Sequence, residues 1–368
     1  MILTGVALQN FRLHKNYFLK FTENTTVIIG ENAIGKTSII EAINLLATGN
    51  SFRAGRIEEM IEFGSELARV KGVVLDTNSK NLHDKAETQP TDEVEIILTR
   101  GIVSGKRTQH RLFSVNGVRR RKKDAVGKFF TVAFRPEDMR MIEGSPSRRR
   151  TFMDTVLSLL YLEYEVALKN YEQTVLRRNK LLQQVGEHKQ PKTVLQYWDL
   201  NLVKYGEILQ RYRQKFLESF ASVPFPLEFS VEYDSSLISK ERVDQYKERE
   251  IAAGHTLIGP HKDDIIVYLN SWRHGKDTKK MRIDVFGSRG QQRLAVLWLK
   301  FCELEYIKNK SNTATLLLLD DILSELDDDS KALALSVLKN YQSVVTTTEP
   351  AVLEDIRQAT DTIEVIYL

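Results

Sequence analysis

The first 46 residues combine a strand pattern with a helix pattern. Residues 26–29 form a short β-branched apolar run that ends at Gly30, and the apolar residues of 38–46 recur at helical spacing. Between them lies a short segment that contains two glycines. This part of the chain therefore predicts a strand, a loop and a helix in that order.

Residues 66–135 are dominated by strand patterns. Runs at 70–75 and 93–98 are predicted strands, and the polar stretch at 77–92 is a predicted loop between them. A third run contains Asn116–Gly117, a dipeptide that favours the tight turn of a β-hairpin. We expect a β-rich segment here.

The pattern changes to helical after Pro146. Apolar residues recur at intervals of three and four from Phe152 to Leu182, and again from Val194 to Phe220. The polar segment 186–191 separates these two runs. The pattern predicts an antiparallel helix pair whose first helix has about 35 residues and a length of about 50 Å.

Strand and helix patterns alternate in the remainder. The predicted segments are strands at 227–231 and 264–269, a helix at 291–308, a buried strand at 315–319, a short acidic helix, and strands at 343–346 and 363–367. Together with the N-terminal pattern, this order indicates an α/β protein.

Composition supports a folded, soluble protein. The 368 residues correspond to two or three domains, and 42% hydrophobic with 28% charged residues excludes wholesale disorder. Cys302 is the only cysteine, so an internal disulfide framework is excluded. The first residues lack signal-peptide features, and the apolar runs are too short to span a bilayer. We expect a cytoplasmic protein without a membrane partner.

The net charge of +4 does not by itself indicate a nucleic-acid partner. Basic residues are nevertheless concentrated in two runs, 119–123 and 148–150. Such a run is most often a solvated face. The run 148–150 opens a predicted helix, where positive charge is unfavourable, and this conflict suggests a contact with DNA phosphates.

Residues 30–37 match the phosphate-loop pattern G-x-x-x-x-G-K-[ST]. Backbone N–H groups of such a loop surround phosphates, the lysine neutralises them, and the hydroxyl after it ligates Mg²⁺. Lys36 and Thr37 have these roles here. The expected ATP-binding residues are Gly30, Glu31, Asn32, Ala33, Ile34, Gly35, Lys36, Thr37 and Ser38.

A four-leucine strand that ends in Asp320–Asp321 complements this loop. Carboxyl ends of strands in open α/β sheets face the ligand. Asp320 is the expected second Mg²⁺ ligand, and Asp321 is expected to polarise the attacking water. Asp320, Asp321 and Lys36 are thus the candidate catalytic residues of this region.

The loop 286–293 precedes a helix and contains Ser288, Gly290 and Gln291, which suit an anion at a helix start. Together, the three motifs resemble the ATP-binding-cassette ATPase head. Residues 287–291 resemble the signature Leu-Ser-Gly-Gly-Gln at Ser288, Gly290 and Gln291, but differ from it at positions 287 and 289. The resemblance implies that two heads pair head to tail, with Ser288 as a further catalytic residue and residues 324–327 as the D-loop.

This resemblance also implies two lobes. Lobe I is expected to comprise 1–135 plus 290–368, with the phosphate loop, the acidic pair and the D-loop. Lobe II is expected to comprise 136–289, with a helical insertion at about 147–221 and the signature at its end.

A larger set of motifs resembles the RecF family of bacterial recombination mediators. The motifs are LQNFR (8–12), GNSFR (49–53), FRPED (134–138), GSPSRRRTFMD (144–154), GPHKDD (259–264) and GSRGQQR (287–293). They occur in the order of that family over nearly the whole chain. The resemblance implies an ATP-dependent homodimer that binds double-stranded DNA and acts with RecO and RecR in loading recombinase at single-strand gaps.

The chain departs from the general cassette pattern at two positions. Asp321 stands where Glu is usual, and the shorter carboxylate predicts slow hydrolysis. The switch histidine is absent, so Thr347 or Thr348 is a candidate γ-phosphate contact or an ordinary strand end. The glutamine of the loop that joins the lobes is not evident near 136–138, and His261 is more often structural than catalytic.

Candidate DNA contacts are Arg53 or Arg56 near the nucleotide loop, and Arg148 and Arg149. Three alternatives remain open at this point. An SMC-class head is disfavoured because the insertion is too short for a long coiled coil, and a transporter subunit is disfavoured by the altered signature. The third is a DNA scaffold whose ATPase activity is incidental.

Overall fold

A computed structural model describes residues 1–75, 91–274, 277–311, 313–360 and 362–368. The predicted loop at 77–92 lies outside the described residues up to position 90, and Thr91 begins a strand. The strands of the described residues are β1 Ile2–Phe11, β2 His14–Lys20, β3 Thr25–Ile29, β4 Leu67–Leu75, β5 Thr91–Thr99, β6 Ile102–Val103, β7 Lys106–Arg107, β8 Arg111–Val115, β9 Val118–Arg120, β10 Phe130–Phe134, β11 Phe229–Asp234, β12 Asp264–His274, β13 Asp277–Arg282, β14 Thr315–Asp320, β15 Ser343–Thr347 and β16 Ile363–Tyr367.

The described residues also form eleven α-helices. They are α1 Lys36–Thr48, α2 Lys122–Ala125, α3 Arg140–Glu143, α4 Pro146–Leu160, α5 Leu162–Gly186, α6 Gln196–Glu218, α7 Lys240–Ala253, α8 Ile283–Phe286, α9 Arg289–Lys310, α10 Asp328–Ser336 and α11 Pro350–Ala359. None of these described helices is both long and apolar enough to cross a membrane.

The chain forms two compact units. The first unit comprises Met1–Asp138 and Ile307–Leu368, and the second comprises Met139–Tyr306. The expected first boundary, after residue 135, lies three residues from this division. The expected second boundary, at 290, differs more, because most of α9 belongs to the second unit.

A five-stranded parallel sheet forms the centre of the first unit, in the order β10-β14-β15-β3-β16. The strand β3 therefore lies between β15 and β16, both from the C-terminal part of the chain. The residues of β3, β14 and β15 are all buried, which explains their continuous apolar and threonine-rich sequences. The carboxyl ends of these strands lie at one edge of the sheet.

A six-stranded antiparallel sheet, in the order β2-β1-β4-β5-β8-β9, completes the first unit. The helix α1 contributes Ile39, Ile43 and Leu46 to a core that also contains residues of both sheets. The predicted hairpin is confirmed: β8 and β9 pair antiparallel, and Asn116 and Gly117 have the positive φ angles of a tight turn.

The predicted helix pair is confirmed in the second unit, but its first helix is not continuous. Tyr161 adopts an extended conformation between α4 and α5, which divides the expected helix of about 35 residues in two. The helices α5 and α6 are antiparallel, since Glu163 contacts Arg211 near one end and Arg178 contacts Asp199 near the other. The buried aromatic stripe of α5 packs in the core, as the spacing predicts.

Buried ion pairs tie the elements of the second unit together. Arg213 on α6 is 2% exposed and donates to Asp154 on α4 at 2.8 Å and to Asp263, just before β12, at 2.9 Å. Such a cluster requires every member to be paired, because an uncompensated buried charge is strongly destabilising. The GPHKDD motif at 259–264 therefore has a structural function within this unit.

Candidate functional site

The segment 30–35 connects β3 to α1 and contains two residues in the left-handed region. Ala33 has φ 66° and Gly35 has φ 114°. His14 Nε2 donates to the carbonyl oxygen of Gly35 at 3.1 Å, and a Cβ atom at position 35 would lie 2.6 Å from that nitrogen. Glycine is therefore required at position 35 both by the backbone conformation and by the close approach of His14.

Lys36 lies at the start of α1 and is 6% exposed. Its Nζ donates to the carbonyl oxygens of Gly30 at 2.7 Å and Glu31 at 2.8 Å, so the ammonium group is held against the loop. The first N–H groups of a helix have no partner within the helix. These N–H groups and the ammonium group together form a site suited to an anion.

Thr37 and Asp320 meet at the carboxyl edge of the parallel sheet. The hydroxyl Oγ1 of Thr37 donates to Oδ1 of Asp320 at 3.0 Å, although the two residues are 283 positions apart. Thr346, at the end of β15, donates to the same Oδ1 at 2.9 Å. The expected pairing of the phosphate loop with the acidic strand end is thus present as a direct contact.

The environment of Asp320 suits a cation. Burial raises the pKa of its carboxyl group, the hydrogen bonds from Thr346 and Thr37 lower it, and the nearby charges of Glu137 and Asp321 raise it. A hydroxyl and a carboxylate are the hard oxygen donors that Mg²⁺ prefers, and Mg²⁺ usually keeps waters and phosphate oxygens as its other ligands. Among the described residues, no group of three or more His, Cys, Asp or Glu side chains is arranged to hold a metal ion.

Asp321 has a strained backbone, with φ 51°. Its N–H group lies 3.1 Å from both the carbonyl oxygen and the hydroxyl oxygen of Thr346. The side-chain Oδ1 of Asp321 is buried and has no hydrogen-bond partner among the described residues. A buried acceptor without a donor is costly, and the position suits a group that accepts a hydrogen bond from a bound water or substrate.

Thr346 contacts both acidic residues, and the sequence pattern did not indicate this contact. The expectation concerned Thr347 and Thr348 instead. The hydroxyl of Thr347 accepts from the N–H group of Glu349 at 3.0 Å, and Thr348 is half-buried. Whether Thr347 or Thr348 contacts the γ-phosphate stays a prediction.

The segment 136–138, where no glutamine was evident, approaches the site through Glu137. Its charge contributes to raising the pKa of Asp320. The neighbouring Asp138 instead accepts a hydrogen bond from the guanidinium group of Arg135 at 2.9 Å.

The signature-like residues form the start of α9. The N–H group of Ser288 donates to Gln291 Oε1 at 2.9 Å, and the N–H group of Gln291 donates to Ser288 Oγ at 3.3 Å. This reciprocal arrangement is a capping box, and Gly290 lies within it. These residues belong to the second unit, whereas the phosphate loop belongs to the first.

Arg53 and Arg56 are exposed. Hydrogen bonds hold the loop that contains them in place. Arg12 donates to Glu41 from Nε at 2.8 Å and from a second nitrogen at 2.7 Å, and the hydroxyl of Ser51 donates to the same carboxylate. Ser51 in turn accepts from the N–H group of Arg53 at 2.9 Å. The motifs that contain Arg12 and Arg53 are thus parts of one hydrogen-bonded assembly.

Arg149 does not have the surroundings of a DNA contact. It is 8% exposed, donates twice to Asp264 at 2.6 and 2.8 Å, and also donates to the carbonyl oxygens of Met141, Ile142 and Gly144. Arg148, in contrast, is exposed. The unfavourable charge at the start of α4 is therefore explained for Arg149 by a buried ion pair.

A phosphate-type loop after a central parallel strand, with a hydroxyl and an acidic pair at the same sheet edge, defines a P-loop nucleotide-binding head. The chain belongs to the RecF/RecN/SMC N-terminal domain family, whose model matches residues 2–366. It is 32% identical to the DNA replication and repair protein RecF of Lachnoclostridium phytofermentans over 95% of this chain and 93% of that protein.

Solved structures agree with this assignment. One of the recombination mediator protein RecF with ATP, from the RecFOR pathway, has a TM-score of 0.79 and 29% identity over 95% of this chain and 92% of that chain. An Smc head domain from Pyrococcus furiosus has a TM-score of 0.50 and 18% identity over 99% and 93%, a likeness of fold alone. The predicted α/β ATPase-head fold and the resemblance to the RecF family are confirmed.

Proposed function

We propose that this protein is an ATP-hydrolysing recombination mediator that binds double-stranded DNA. The observation that carries the proposal is the contact between Thr37 and Asp320, which completes a nucleotide site in a chain whose relatives include a RecF with ATP. That site lies at the carboxyl edge of the sheet, where ligands of open α/β sheets bind. Within this proposal, the protein acts in the cytoplasm.

Within this proposal, Thr37 and Asp320 hold Mg²⁺. The ion would neutralise developing charge on the phosphates. Lys36 binds the β- and γ-phosphates, and residues 30–38 surround them with N–H groups. Asp321 orients the attacking water through its otherwise unsatisfied Oδ1. Its side chain is one methylene shorter than glutamate, so hydrolysis is slow.

We further propose that ATP joins two copies head to tail. Ser288, Gly290 and Gln291 of one copy then contact the nucleotide held by the other. The capping box supports this because it holds Ser288 and Gln291 at a helix start, which suits a phosphate. The first unit serves as the ATPase lobe and the second as the signature-bearing lobe. Each bound ATP adds contacts that only the dimer can make, so ATP favours dimerisation by linkage.

The DNA substrate is a gap junction, where the dimer acts with RecO and RecR to load recombinase. Arg53, Arg56 and Arg148 are the DNA contacts in this proposal, since all three are exposed. Arg149 is left out because Asp264 holds its guanidinium group. Hydrolysis would then time the release of DNA.

Fluorescence anisotropy with duplex DNA tests the proposal. Binding is measured with ATP, with ADP and with the Lys36→Met variant, at two salt concentrations. We expect tight binding only with ATP, lost in the variant and weakened by salt, because phosphate contacts release counterions. Binding that is indifferent to nucleotide and unchanged in Asp321→Asn would instead support a DNA scaffold whose ATPase activity is incidental.

A further inference from the structure

The two basic runs of the sequence, 148–150 and 119–123, differ in their exposure to solvent. In the run 148–150, Arg149 is buried against Asp264, and Arg150 donates to the carbonyl oxygen of Asp263 at 2.8 Å. In the run 119–123, four of the five side chains are exposed. The run 119–123 therefore has more exposed positive charge than the run 148–150. The proposed function assigns no role to it.

This run occupies the end of the six-stranded sheet. The strand β9 is the last in the sheet order, and Arg119 and Arg120 lie opposite Ser114 and Phe113 of β8. We define the basic edge as the exposed residues Arg119, Arg120, Arg121 and Lys123. Lys122 is excluded, because its side chain is half-buried and lies over Gly49.

The carboxylates of β5, which lies beyond β8 in the sheet order, are already paired with other cations, and Arg69 contacts Glu95 at 4.0 Å. Lys71 contacts Glu93 at 2.7 Å, and Lys128 contacts Asp92 at 2.8 Å. Within the basic edge, Arg121 contacts Asp124 at 3.1 Å. Among the described residues, no carboxylate lies within ion-pair distance of the remaining three members of the edge, and Arg119 donates to the neutral Gln109. The edge thus carries three cationic side chains, Arg119, Arg120 and Lys123, that have no carboxylate partner among the described residues.

We propose that the basic edge binds the phosphate backbone of double-stranded DNA. This inference rests on the proposed function and adds a DNA surface to it. Three of its four members are arginine, whose planar guanidinium group matches the geometry of a phosphate. Contacts of this kind hold DNA without reading its sequence.

A cationic edge strand can also prevent sheet-to-sheet aggregation. A very short edge strand is itself protected against such pairing, and β9 has three residues. A continuous run that extends from β9 into the first turn of α2 exceeds what edge protection requires. Duplex binding accounts for the whole run.

The test is a triple variant, Arg119→Gln, Arg120→Gln and Lys123→Gln, with duplex binding measured by anisotropy with ATP over a range of salt concentrations. Each phosphate contact contributes about 0.9 to the slope of log K against log salt, so losing three lowers the slope by about 2.7. The matched control is Lys15→Gln with Lys20→Gln, two exposed residues of β2 at the opposite end of the same sheet. The control is expected to keep the slope of the unchanged protein.

Three further readouts make the result unambiguous. Basal ATPase activity without DNA and the melting temperature are expected to be unchanged in the triple variant. A second variant, Arg119→Lys with Arg120→Lys, keeps the charge and is expected to keep most of the slope.

Two outcomes contradict the inference while leaving the proposed function in place. One is a triple variant that binds duplex with unchanged affinity and slope. The other is a variant that only aggregates, with its soluble fraction binding normally, which would assign the edge to protection. If the unchanged protein itself does not bind duplex with ATP, the proposed function is wrong.

Discussion

The hydroxyl group of Thr346 donates to Oδ1 of Asp320 at 2.9 Å and also lies 3.1 Å from the N–H group of Asp321. One buried side chain thus contacts both acidic residues at the end of β14. The register of the parallel sheet produces this, because Asp320 and Thr346 lie opposite each other in adjacent strands. Thr346 is therefore a positioning residue for the pair.

Thr346→Val removes this hydrogen bond while nearly keeping the side-chain volume. We expect Mg²⁺ to support ATP turnover with an affinity about tenfold lower, since a hydrogen bond to a charged group contributes about 1.5–3 kcal/mol. The measurement is the Mg²⁺ concentration dependence of ATP hydrolysis. Thr346→Ser is the control and is expected to retain the affinity. An equal loss in both variants would assign the effect to packing.

Gly35→Ala is expected to destabilise the protein by about 3 kcal/mol, since a left-handed backbone and an overpacked contact each cost about 1–3 kcal/mol. The matched control is Gly64→Ala, because Gly64 also has a positive φ, 88°, but has open space around it. The control is expected to cost about 1 kcal/mol for its backbone alone. Calorimetry measures both.

The second half of this test is His14→Ala in the Gly35→Ala background. Removing the imidazole ring eliminates the 2.6 Å approach to the new Cβ atom. We expect part of the stability to return. If the two changes are simply additive, His14 is not the cause of the additional cost.

Arg149→Ala is expected to lower the free energy of unfolding of the second unit by about 3 kcal/mol, because it leaves Asp264 without its partner. Arg148→Ala, one residue earlier and exposed, is the control and is expected to change it by less than about 0.5 kcal/mol. The three tryptophans, Trp198, Trp272 and Trp298, all belong to the second unit. Tryptophan fluorescence in urea therefore reports on this unit, and equal effects of the two variants would contradict the buried role.

We expect the free energy of unfolding to fall in acid because of the buried His261. Burial lowers its pKa to about 4, and the neutral ring donates from Nε2 to Thr256 and accepts at Nδ1 from Tyr171. The unfolded chain takes up the proton near the ordinary pKa of about 6.5. The contribution of His261 to the free energy of unfolding is therefore fully present above pH 6.5. It decreases by roughly 3 kcal/mol as the pH falls towards 4.

The measurement is tryptophan-monitored urea unfolding at several pH values between 7 and 4. His261→Gln is expected to be less stable at pH 7 and to have a flatter pH dependence across this window. Parallel curves for the two proteins would exclude His261 as the cause.

Much of the fold could be predicted from local patterns. The hairpin at Asn116–Gly117 is encoded by a dipeptide that tolerates positive φ, and the helix pair by apolar residues at intervals of three and four. The break at Tyr161 could not be predicted, because the periodicity continues across it. It depends on tertiary packing: Tyr161 lies against Tyr212, and its hydroxyl group contacts Tyr306.

The nucleotide site was predictable in its motifs and less so in its supporting residues. The phosphate loop and the acidic pair are each a short continuous motif, and the end of an apolar strand is where a sheet-edge ligand is expected, so their contact through Thr37 and Asp320 could be predicted. Thr346 could not be identified, since every residue of β15 is buried and the pattern does not show which one faces Asp320. Arg149 was misjudged because a basic triplet does not reveal that its middle member has an acidic partner 115 residues away.

The position of β3 between β15 and β16 has a consequence for the synthesis of the protein. The strand that leads into the phosphate loop, β3, is translated well before both of its neighbours, β15 and β16. Until residues 343–367 have left the ribosome, β3 lacks its sheet partners. A nascent chain that does not yet contain β15 and β16 would then be unable to hold ATP at this site, so nucleotide binding depends on segments translated far apart, 25–29 and 343–367.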